Sequence, residues 1–88
     1  MTAKAKDAIL RLIKERGPAK SICPSEAARA VATEANDWRD CMPDVHEAVR
    51  TLHAQGLITV TVRGEPIDPG REGGPRGPYR IAQPRPVS

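Results

Sequence analysis

Between Trp38 and Ile81 the chain carries six arginines: Arg39, Arg50, Arg63, Arg71, Arg76 and Arg80. A guanidinium is a rigid planar fork of donors that stays charged. It matches two phosphate oxygens or the two acceptors on the guanine edge. Arg63, Arg71, Arg76 and Arg80 fall within the stretch "RGEPIDPGREGGPRGPYRI". A glycine-rich tip carrying arginine is suited to entering a minor groove or lying along phosphates. Glu65, Asp68 and Glu72 stand in the same stretch, so its positive excess is small. Proline, glycine and charge also have a plainer use there, because they stop a long hairpin from pairing edge to edge with another chain.

Trp38 and Tyr79 are the only aromatic residues, and phenylalanine is absent. A sole tryptophan serves as a packing anchor with its ring on the core. Its alternative use is as a stacking platform for a base or a peptide. Tyr79 reads likewise as a half-buried strand residue with a wet hydroxyl. Asp44 and Glu47 precede Arg50 by six and three positions. Acids at a helix start favour the positive end of the dipole, and they oppose a polyanion. Trp38, Tyr79, Asp44 and Glu47 are therefore the candidate surface for another protein.

The remaining reactive residues make no constellation. Cys23, Cys41, His46 and His53 include no CxxC pair, and the two histidines of "HEAVRTLH" are seven apart, so no two ligands stack one turn apart as in HExxH. No metal site is expected. Ser21 and Ser25 have no nucleophile-elbow context, and "GREGGPRG" lacks the Lys-Ser/Thr ending of a phosphate loop. The chain reads as a non-enzyme with no cofactor, no catalytic residues and no small-molecule substrate.

Length and charge set the frame for these residues. Eighty-eight residues make one domain, over residues 1–83, followed by a disordered, proline-broken tail at 84–88. Such a chain buries about 60–65% of its unfolded surface, so its stability is modest. A formal charge of +3 permits nucleic acid as a partner without demanding it. No secretory signal is readable, and no apolar run approaches the ~20 residues of a membrane helix. The expected setting is the cytoplasm, with two reduced, half-buried cysteines and no membrane contact.

The elements that must position the arginines follow from periodicity. Ala5, Ile9, Leu12 and Ile13 recur at helical spacing, with Thr2 as the expected N-cap and Gly17-Pro18 as the stop. "CPSEAARAVATEA" predicts a second helix with Pro24 in its first turn and a small-residue face of Ala28, Val31, Ala32 and Ala35. Ser21-Ile22 before it is a candidate short strand. A third helix, about 43–55, begins at Pro43, turns Val45, Ala48, Val49 and Leu52 inward, and ends at Gly56. "LITVTVR" alternates like a strand, and "YRIA" is its partner across a long hairpin loop, about 63–80. Three helices closed by a hairpin is the order of a winged helix-turn-helix, an α+β fold in which the loop is the wing.

"WRDCMPDVHEAVRTLHAQGLITVTVRGEPIDP", followed by "GPYRI", resembles a winged-helix-like family of short bacterial domains of unknown function. The features that carry the likeness are Ile22 to Ala28, Trp38-Arg39, Met42-Pro43, Val45, Leu52, Gly56, Ile58 to Thr61, Gly64, Asp68 and Gly77-Pro78. The resemblance spans nearly the whole chain, implies the fold, and leaves the activity open. Two functions are expected from these readings. One is double-stranded DNA binding, with helix three in the major groove and the wing on the backbone, in a regulatory role. The other is a protein-interaction module on the same scaffold.

Overall fold

The computed structural model describes residues 2–18, 20–32, 37–70 and 79–84. Its elements are α1 (Thr2–Arg16), β1 (Ser21–Ile22), α2 (Pro24–Val31), α3 (Trp38–Ala54), β2 (Thr59–Val62), β3 (Glu65–Pro66) and β4 (Arg80–Ala82). The fold class is α+β, as the element order predicts.

The helix ends show where local chemistry agrees with the sequence and where packing overrides it. α1 buries Ala5, Ala8, Ile9 and Ile13, and stops at Gly17, whose φ of 101° suits glycine alone. Thr2 is the first residue of this helix, not its cap. α2 is capped by Cys23 in extended backbone, and the Glu26 carboxylate reaches back to accept from the Cys23 N–H at 2.8 Å. It ends at Val31, earlier than the expected Ala35, because Ala32 is extended at φ −66°, ψ 146°. α3 begins at Trp38 and not at Pro43. A second helix reaching Ala35 would therefore leave only Asn36 and Asp37 for a turn that commonly takes three or four residues.

Pro43 lies inside α3. The Asp37 carboxylate caps the helix by accepting from the Arg39 N–H at 3.4 Å, so the chain is already helical when it reaches the proline. What Pro43 withholds is a donor to the Arg39 carbonyl, on a face that is open to water. The far end closes with a Schellman turn: Leu57 N–H donates to Leu52 O and Gly56 N–H to His53 O, with Gly56 at φ 75°.

The sheet is antiparallel throughout, in the order β1-β4-β2-β3. Ile22, Ile81 and Val60 stand side by side across the first three strands, and each is fully buried. They meet Ile9 and Ile13 of α1, Ala27 and Ala28 of α2, and Val45, Val49 and Leu52 of α3 in one core. The connection from β2 departs from the single long loop expected. Arg63 and Gly64 form a tight two-residue turn, both at positive φ (53° and 83°), and return the chain as β3. Such a turn matches the twist of the strands it joins. Pro66 sits on the outer edge, where a missing N–H costs no ladder bond.

Candidate nucleic-acid interface

Residues 39, 46, 50 and 53 follow one another at spacings of seven, four and three along α3, so their side chains leave the helix as one stripe. This stripe lies away from the buried residues Val45, Ala48, Val49 and Leu52. Its two arginines, Arg39 and Arg50, are exposed. Its two histidines hold the helix to the sheet side of the molecule.

His46 Nδ1 lies 2.6 Å from the Tyr79 hydroxyl, and the two rings tilt at 52° with centroids 5.7 Å apart. Burial, reinforced by the Arg50 cation, holds the His46 pKa below its ordinary value of 6.5. Burial pushes the Tyr79 phenol up to about 12, with Arg50 pulling weakly the other way. Tyr79 is only 4% exposed, so its ring is no surface for a partner. The wet hydroxyl expected of it is instead occupied by His46, which allows the whole residue to be buried. Two helical turns further on, His53 Nδ1 lies 3.7 Å from the Asp68 carboxylate, which also accepts from the Gly70 N–H at 2.9 Å.

The arginines separate by environment. Arg50 is exposed on α3, and Arg63 is exposed at the β2–β3 turn in left-handed backbone. Arg80 is committed within the sheet: its Nε donates to Ser21 Oγ and its Nη2 to Ser21 O, both at 3.0 Å. Arg39 pairs with Asp37 at 3.3 Å and lies over the Trp38 ring at 4.7 Å. Arg71 and Arg76 lie outside the described residues. Of the two acids, Glu47 is exposed and Asp44 half-buried.

Trp38 packs against the core, as expected of an anchor, but it also carries two guanidiniums. Arg29 of α2 lies 4.9 Å from the ring centroid, opposite in sequence to Arg39. Neither the Arg29–Trp38 contact nor the Arg80–Ser21 bonds stood out in the sequence, because both partnerships span elements. Cys23 and Cys41 are both free and half-buried. Burial raises the Cys23 thiol, but the Ser25 hydroxyl and the N–H groups of Glu26 and Ser25 outweigh it, so the thiol sits below its ordinary value. Among the described residues, no three metal-ligating side chains gather, and no helix is long and apolar enough to cross a membrane.

Residues 2–84 match the model of a family described as protein of unknown function (DUF3253). No curated protein matches the chain.

Proposed function

The chain belongs to the DUF3253 family, and from that premise we propose that it is a winged-helix DNA-binding domain in which α3 and the β2–β3 turn contact the duplex. The observation that supports this reading is the His46–Tyr79 bond. It ties the arginine-bearing stripe of α3 to the start of β4. Arg50 supplies the fork for a major-groove edge, Arg63 approaches the backbone from the turn, and Arg39 approaches from the helix start. The role is regulatory and non-enzymatic, and this reading carries a cytoplasmic location with it.

Fluorescence anisotropy with a labelled duplex at several salt concentrations tests it. About three to four phosphate contacts give a log–log slope of roughly −3 to −4. Arg63→Ala lowers that slope by about 1 and weakens all sequences alike. Affinity that does not change with salt contradicts the reading.

One observation favours a second reading, a protein-interaction module. Trp38 with its two guanidiniums has the composition of an interface anchor. Glu47→Lys separates the two. It strengthens duplex binding under the first and leaves it unchanged under the second.

A further inference from the structure

We propose that His46 is a specificity-determining residue of the DNA contact: Tyr79 fixes its tautomer, so that Nε2–H stands beside the Arg50 guanidinium as a second donor to the acceptor-rich major-groove edge of guanine. This rests on the DNA reading above and adds a residue to it.

The tautomer follows from a hydrogen-bond account. The Tyr79 hydroxyl has one proton to give, and among the described residues its partner is His46 Nδ1. If Nδ1 carried the ring proton and the phenol oxygen accepted it, the buried O–H would be left without an acceptor. An unsatisfied buried donor is the costly arrangement. The phenol therefore donates, Nδ1 accepts, and the proton of the neutral ring resides on Nε2.

Position does the rest. The two ring nitrogens lie on either side of one carbon, so anchoring Nδ1 on a buried tyrosine turns the Nε2 edge away from it. His46 and Arg50 are four residues apart on α3, which makes them neighbours on one stripe. Arg50 is exposed, and its cation acts on His46 and Tyr79 alike. The pair offers donors only. Guanine presents two acceptors, N7 and O6, on its major-groove edge, whereas adenine and cytosine each place a donor there. The neutral ring and the guanidinium together thus favour guanine-containing steps. Tyr79 touches no base in this scheme and is a positioning residue.

Two measurements test the inference. The first is a long-range proton–nitrogen correlation spectrum of the histidine rings in the free protein. The expected pattern is the Nε2–H form of His46, with Tyr79→Phe mixing the two tautomers. An Nδ1–H form in the wild type overturns the inference whether or not DNA binds. The second compares a guanine-rich duplex with the same duplex carrying deazaguanine, which lacks the N7 acceptor. The wild type prefers the former, and His46→Leu, which has no donor, reduces that preference roughly five- to tenfold. If the wild type binds but His46→Leu leaves the preference intact, this inference falls and the DNA reading stands. If the wild type binds neither duplex at low salt, both fall.

Discussion

Arg80 on β4 clamps Ser21 on β1, its Nε and Nη2 each 3.0 Å from the Ser21 hydroxyl and carbonyl oxygens. The β1 edge of the sheet is thereby held by a side chain as well as by its two-residue ladder. An arginine with two of its donors fixed on its own fold is a poor choice for phosphate. Arg80→Ala accordingly costs about 0.5–1.5 kcal/mol of stability in urea denaturation. It changes duplex affinity far less than Arg50→Ala does. A large loss of affinity with unchanged stability would reverse this assignment.

Tyr79 is the only tyrosine, so its ionisation is read directly from the ultraviolet phenolate band. In the folded protein it titrates near 12, and in denaturant near its ordinary 10.0. Between those values the unfolded chain has lost a proton that the folded chain keeps. Stability therefore falls as pH rises through that window. A native phenol titrating at 10 would place Tyr79 in water and remove the bond to His46.

On the acid side the sign is opposite. Above 6.5 neither folded nor unfolded His46 binds a proton, and its full contribution is present. As pH drops through 6.5 the unfolded chain takes up a proton that folded His46 resists, since burial and Arg50 lower its pKa. Stability then declines until the folded ring is protonated too. His46→Gln flattens that part of the curve in urea denaturation measured across mildly acidic pH. An unchanged slope in the variant would assign the decline to other groups.

How much of this was legible in the sequence depends on whether local or cross-element forces decide. The stripe of Ile9 and Ile13, Pro24 at the head of α2, and the Gly56 stop of α3 are local, and each stands where periodicity and helix-end chemistry put it. Pro43 misled because proline usually marks a helix start. The Asp37 cap, six residues before that proline, was the stronger signal. The dipeptide Arg63-Gly64 was a readable turn of the kind that favours glycine at positive φ, yet the glycine and proline after it suggested one long loop. Tyr79 and Arg80 could not be assigned from sequence. Their partners, His46 and Ser21, lie 33 and 59 positions away, and only packing brings such residues together.

That tight turn also yields a prediction. A Cβ at Gly64 would meet nothing within 4 Å, so the cost of Gly64→Ala comes from its φ of 83° alone. About 1–2 kcal/mol of destabilisation is expected in urea denaturation. A neutral substitution would mean that the turn relaxes and that Arg63 is not held in position by it.

The central claim is that α3, tied to the start of β4 by His46 and Tyr79, forms one DNA-contacting surface with the β2–β3 turn. Nuclear magnetic resonance titration of labelled protein with a duplex of ~20 base pairs, at low and then physiological salt, tests it most directly. Salt-sensitive shifts at Arg39, His46, Arg50 and Arg63, with α1 unmoved, are the predicted result. A spectrum that does not move at low salt, or shifts confined to Arg29 and Trp38, would contradict it.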